Sequence, residues 1–356
     1  MSDMRWRVSA PRDKELLLFT QQFAIMVGSG IPIIDSLRTF RKHSTHRGFQ
    51  IAIDAAINAI ANGSSLSQSL RLSPRIFNAF YTAVIDGAER GGTLEESLGM
   101  LCQSISSQRE MKRHCLSAMM YPLIVIAILA LTVMGLMLYV VPTFEELFAQ
   151  SGQALPWLTE SIVIASRRLN EHLLAVVAAL FGLPASLIIF RVRGAFARPI
   201  SMDRYFLRIP VLLPILHARY GALIARTMSS LTRAGIPILE SLLVSSRMVG
   251  NRWVARELGE MRVSITQGHS LSVACSQATS LPPLLSQLIA IGERSGRLEE
   301  SLEKAATHFE NDFRSHVATL TRLAEPCLVL AVGCVVGVFV LAMYLPIFEL
   351  GRVVAR

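Results

Sequence analysis

Two glutamate–arginine pairs, Glu89–Arg90 and Glu293–Arg294, are the residues whose type and setting most invite a chemical reading. Residues 89–98 read ERGGTLEESL and residues 293–302 read ERSGRLEESL. In part these strings describe a helix joint. Gly92 and Gly296 end one helix, and Leu94, Leu98, Leu298 and Leu302 bury the next. Glu95, Glu96, Glu299 and Glu300 suit the positive end of the new helix dipole. The joint alone does not explain a Glu-Arg pair ahead of the glycine in both strings. Glu89, Arg90, Gly92, Glu293, Arg294 and Gly296 are therefore candidates for a polar contact surface or a cation site, with the metal question left open.

Other chemistries lack their residues. No glycine-rich phosphate loop ending in Lys-Ser/Thr occurs, so nucleotide hydrolysis by this chain is not expected. Neither a His-Glu-x-x-His string nor a Gly-x-Ser-x-Gly elbow is present. The eight histidines are mostly isolated, and His43 and His46 flank a helix break without a third ligand nearby, as solvated surface residues do. The five cysteines include no Cys-x-x-Cys and read as free thiols. No cofactor and no catalytic residue are expected. The net charge of +9 could serve nucleic acid or an anionic membrane surface. No basic patch interleaved with aromatics supports nucleic acid.

The elements that position the two pairs are themselves repeated. GIPIIDSL from Gly30 returns as GIPILESL from Gly235, and GSSLS from Gly63 returns as GHSLS from Gly268. Pro122 maps to Pro326 and Pro142 to Pro346. Self-similarity at a fixed offset means two copies of one architecture. Leu16, Phe19, Phe23 and Met26 form one helix face, and Ile224, Met228 and Leu231 keep the last three places of that pattern with other side chains. Gly30 and Gly235 end a helix, and Pro32 and Pro237 start the next. Further helices are expected over 33–43 and 47–61, then a short one capped by Ser64 or Ser65. Another opens at Ser73-Pro74, breaks follow at Gly87, Gly91 and Gly92, and a long helix runs from Leu94. No alternating β pattern occurs. The fold class is all-α: two tandem bundles of about six helices each.

Three apolar runs, at 119–141, 173–190 and 326–345, contain no Asp, Glu, Lys, Arg or His. A bilayer needs about 20 such residues, so all three are read as transmembrane helices. Arg109, Lys112 and Arg113 precede the first run and no Lys or Arg follows it closely, which places the N-terminal module in the cytoplasm. Arg191, Arg193, Arg198 and Arg204 after the second run bring the chain back inside. The repeat aligns the third run with the first. The expected layout is a lead-in over 1–13, a first cytoplasmic module over 14–118, a periplasmic loop over 142–172, a second cytoplasmic module over 191–325 and a periplasmic tail over 346–356. Gly333 and Gly337 in the third run suit a close helix contact, within the chain or between chains. A transporter or channel component is the alternative. It fits the spans but not their uncharged content, since ion-coupled carriers keep an ionisable group in the membrane.

Taken together, the duplicated modules, the Gly-Ile-Pro turns, Gly292-Glu293-Arg294-Ser295-Gly296 and the Pro-x-Phe that ends each outer span resemble a known family. It is that of the inner-membrane platform proteins of type II secretion and type IV pilus assembly, the secretion F-protein family in its tandem two-module form. In the first copy Ala88 stands where the family's first glycine is usual, and the N-terminal extension of many members is largely missing. The resemblance implies a non-enzymatic platform in the bacterial inner membrane. Its partners would be a cytoplasmic assembly ATPase, pilins or pseudopilins, other inner-membrane assembly proteins, the lipid bilayer and further copies of itself.

Overall fold

The computed structural model describes residues 13–144, 146, 157–171, 210 and 212–354, and every regular element among them is helical. The first copy comprises α1 (Asp13–Gly28), α2 (Ile33–His43), α3 (Arg47–Ala61), α4 (Leu66–Arg71), α5 (Ala79–Gly91) and α6 (Leu94–Gly135). A π-helical stretch, Leu136–Val140, follows, and then α7 (Trp157–Glu171). The second copy comprises α8 (Leu213–Arg233), α9 (Ile238–Met248), α10 (Arg252–Thr266), α11 (Leu271–Ser276), α12 (Pro283–Ser295) and α13 (Leu298–Val354). The expected second span, 173–190, lies outside the described residues, as do most of the loop and linker around it.

Local chemistry sets the helix ends. Oxygens of Ser65 and Ser270 accept from the third residue of α4 and α11, and Asn251 does the same for α10. His46, expected to be merely solvated, accepts the Phe49 N–H through its ring and caps α3. Two expectations are corrected here. No helix opens at Ser73-Pro74: residues 74–77 turn, and α5 begins after Asn78, whose side chain accepts from Tyr81 N–H at 2.9 Å. Gly87 does not break the chain, because α5 runs through it and ends only at Gly91, where Gly92 takes the left-handed turn.

The chain divides into two compact units. One holds both modules, residues up to His114 and from Pro199 to His316. In the first module Phe19, Phe23, Phe49, Phe77 and Tyr81 stack and cross one another at the centre of the core. Their counterparts in the second module are Ile224, Met228, Val254, Leu281 and Leu285, all buried and none aromatic. The helix scaffold is thus kept while the filling changes, as volume-compatible cores permit. The modules do not have wholly separate cores. Leu231, Ala234, Ile236 and Val244 of the second join the first module's cluster, through α5 against α8 and α9. Gly87 makes that approach possible: a Cβ there would lie 2.4 Å from the Ala234 carbonyl oxygen.

The other unit contains residues 115–198 and 317–356. Within it α7 lies in what the sequence suggested was a plain loop. It buries Thr159, Val163 and Ser166 along one stripe. Thr159 donates to the Ala342 carbonyl at 2.6 Å, and Ser166 to the Met137 carbonyl in the π-helical stretch at 2.5 Å. Such a stretch frees carbonyls from the regular ladder, and a hydroxyl is the natural partner for one of them. Among the described residues two helical stretches, Leu94–Phe144 and Leu298–Leu345, are long and apolar enough to cross a membrane, with mean hydropathies of 2.8 and 2.7 in their best windows.

Candidate functional site

The repeated joint is built twice with the same bonds. The Glu89 carboxylate accepts the N–H groups of Leu66 at 2.6 Å and Ser67 at 2.9 Å. Glu293 accepts those of Leu271 at 2.7 Å and Ser272 at 3.1 Å. These are the first two N–H groups of α4 and α11, which have no partner inside their own helices. With the serine caps on the third, three of the four free donors of each short helix are satisfied. The carboxylates that the sequence left unexplained therefore tie the end of one helix to the start of another. Burial, with the Glu293 charge adding to it, pushes the neighbouring Cys275 thiol up to about 12, an unreactive buried sulfur.

Gly92 and Gly296 both take φ +68°, a left-handed conformation that side chains with a Cβ disfavour. Each turn closes with a backbone bond, Thr93 N–H to Ala88 and Arg297 N–H to Gly292. Gly30 and Gly235 form matching turns, with Pro32 and Pro237 at the N-cap positions that follow. The arginines differ from the glutamates. Arg90 is exposed and pairs with Asp86, while the exposed Arg294 reaches only the Ala290 carbonyl, at 3.3 Å. No group of three or more His, Cys, Asp or Glu among the described residues could hold a metal ion. Gly333 and Gly337 have nothing within 4 Å of where a Cβ would be, so no described part of the chain makes the close contact their spacing allows.

This geometry sets an expectation for Glu293. Glu293→Ala strips two half-buried donors of their acceptor, at a cost of about 1–3 kcal/mol. Glu293→Gln keeps one acceptor and turns an amide N–H₂ toward a backbone N–H, so it also destabilises. Thermal unfolding of the detergent-solubilised protein checks both variants. Arg294→Glu, which touches no such bond, should leave stability within about 0.5 kcal/mol of wild type. It is thus the cleaner probe of a contact surface.

A second polar cluster, not singled out from the sequence, lies along the seam between the modules. Arg226 on α8 is 4% exposed and donates to Glu310 at 3.0 Å and to Glu303, both on α13. Helix α6 of the first module reaches the same carboxylates: Gln103 donates to Glu303 at 3.4 Å and Ser107 to Glu310 at 3.3 Å. Arg314 donates to Glu110 at 2.5 Å farther along. The pairings show α6 and α13 running parallel and nearly in register. A signal was available in the repeat. The counterparts of Arg226, Glu303 and Glu310 are Gln21, Gly99 and Ser106, so three charges appear together in one copy alone.

The described residues thus define a class: a duplicated helical scaffold whose modules end in membrane-length apolar helices, with carboxylates at its two joints and a buried ion network at its seam. Comparison with known proteins narrows the class. The profile described as Type II secretion system (T2SS), protein F matches residues 19–142 and again 224–346. The type IV pilus assembly protein PilC of Pseudomonas aeruginosa is 31% identical over 340 residues, covering 96% of this chain and 91% of the relative. The type II secretion system protein F of the same organism is 31% identical over 346 residues, covering 96% and 84%. The PilC of Myxococcus xanthus is 30% identical over 340 residues, covering 95% and 80%. The chain belongs to the type II secretion F-protein family, the inner-membrane platform proteins of secretion and type IV pilus machines, with two modules in tandem.

Proposed function

We propose that this chain couples a cytoplasmic assembly ATPase to the building of a pilin or pseudopilin filament, acting as a platform and not as an enzyme. The observation that carries this reading is the family match to both modules, each followed by an apolar helix. The modules would engage the ATPase and other assembly proteins, and the apolar helices would meet subunits leaving the bilayer. In this reading the energy comes from the ATPase, since the chain has no phosphate loop of its own. Deleting the gene should abolish filament assembly or secretion while pilin and ATPase levels persist, and the wild-type chain should restore it. Continued assembly in the deletion strain would overturn the reading.

The same reading carries a topology: N-terminus and both modules inside, C-terminus outside, with three spans. Reporter fusions after Lys14, Ala154, Arg262 and Arg356 should report inside, outside, inside and outside. An inside signal at Ala154 would overturn it.

A further inference from the structure

The two modules differ at one surface in a way the fold does not require. Helices α2 and α3 coincide with α9 and α10 at a constant offset, so each position has a defined counterpart. In the first module the groove between α2 and α3 is bridged by Arg41 and Asp54, with Nε–Oδ1 at 2.7 Å and a second bond at 3.0 Å. In the second module Ser246 and Gly259 occupy those two places. The bridge is gone, and a cavity of about 270 Å³ opens there, lined by Leu242, Leu243, Leu258, Val263 and Arg262 among others.

Three features make this more than a missing ion pair. Gly259 stands in the middle of α10, where glycine costs about 1 kcal/mol relative to alanine, yet nothing lies within 4 Å of where its Cβ would be. No neighbour among the described residues demands a glycine, whereas a backbone or side chain arriving from outside would. Val263, with an asparagine as its counterpart, is apolar and 55% exposed at the rim. Arg262, with an isoleucine as its counterpart, is exposed there too, and no carboxylate among the described residues pairs with it. A floor of leucines, an apolar rim and one uncommitted cation make a seat for an apolar side chain with a carboxylate nearby.

We propose that the α9–α10 groove is a docking site for an acidic amphipathic helix of a partner protein. The helix would insert one bulky apolar residue over Gly259 and set an Asp or Glu, one turn away, against Arg262. The first module, with its groove bridged by Arg41 and Asp54, is not a second such site.

The proposal uses the assembly reading for its assay, and the experiment separates the two. The first module's own pair is grafted into full-length protein as Ser246→Arg with Gly259→Asp, a bridge this scaffold already carries at the counterpart place. Membrane level and protease resistance should match wild type, while assembly falls at least about tenfold, as loss of about 1.4 kcal/mol of binding would give. Arg262→Glu should fall likewise, and Arg262→Lys should keep most activity. A photoreactive amino acid at position 246 should form an adduct in cells that Arg262→Glu abolishes. The adduct should map to a helix bearing Asp or Glu within four residues of the attachment point. Normal assembly by the graft, in a strain where deletion abolishes assembly, would overturn the groove and leave the platform reading standing. So would an adduct to lipid, to a second copy of this chain or to a segment without an acidic residue. If deletion itself leaves assembly intact, the platform reading fails. The groove is then judged by the adduct alone.

Discussion

Arg226→Ala should be the most damaging single side-chain loss in the unit that holds both modules. Among the described residues the guanidinium is the only buried cation between Glu303 and Glu310, and Glu310 is itself largely buried. Removing one partner from a buried ion network leaves uncompensated charge and costs about 3–5 kcal/mol. That is a large share of the roughly 5–15 kcal/mol a domain holds. The expected outcome is a sharp drop in membrane level and a lower unfolding temperature in detergent. The contrast lies in removing the whole cluster. Arg226→Met with Glu303→Gln and Glu310→Gln should recover most of the loss, because no unpaired charge remains. If Arg226→Ala unfolds at the wild-type temperature, the seam is more hydrated than its burial implies.

Gly87→Val should act through backbone approach. The valine Cβ would meet the Ala234 carbonyl at 2.4 Å, and neither backbone can yield as a flexible side chain would. Overpacking of this kind costs about 1–3 kcal/mol and occasionally more. Here it also pries α5 from the start of the second module. Hydrogen exchange should rise at Ala234, Gly235 and Ile236 and at Phe80 and Val84, before either bundle unfolds. Gly99→Ala is the control. Nothing lies near its Cβ, so relief of a helical glycine should stabilise by up to about 1 kcal/mol. Equal protection of residues 234–236 in Gly87→Val and wild type would contradict a tight module contact.

The repeat made the helices legible. Two copies of one pattern, read against each other, give the bounds 33–43 and 47–61, which are those of α2 and α3. Gly92 and Gly296 were legible as helix ends for the same reason. Capping chemistry that competes locally was harder to read. Proline at 74 suggested a helix start, but Asn78 supplies the acceptor that α5 uses. The purpose of Glu89 and Glu293 was not legible, because their partners are backbone N–H groups more than twenty residues away, which carry no residue signature. The Arg226 cluster escaped for the opposite reason. It exists in one copy only, and a search for what repeats passes over what differs. The shared core escaped likewise: a glycine at 87 looks like a helix break unless one knows what approaches it.

Glu110 and Arg314 hold equivalent places in the two copies, on parallel helices, and face each other as opposite charges. Two copies of the same module could not make that pair across the same seam, where glutamate would meet glutamate or arginine would meet arginine. Carried on one chain, the copies are free to diverge, and here they have become complementary halves of a tethered heterodimer. The pair is exposed, so by itself it biases a first module toward a second by no more than about 1 kcal/mol. Should a seam open, the nearest correct mate is the one on its own chain, and the covalent link returns it before a neighbour can exchange into its place.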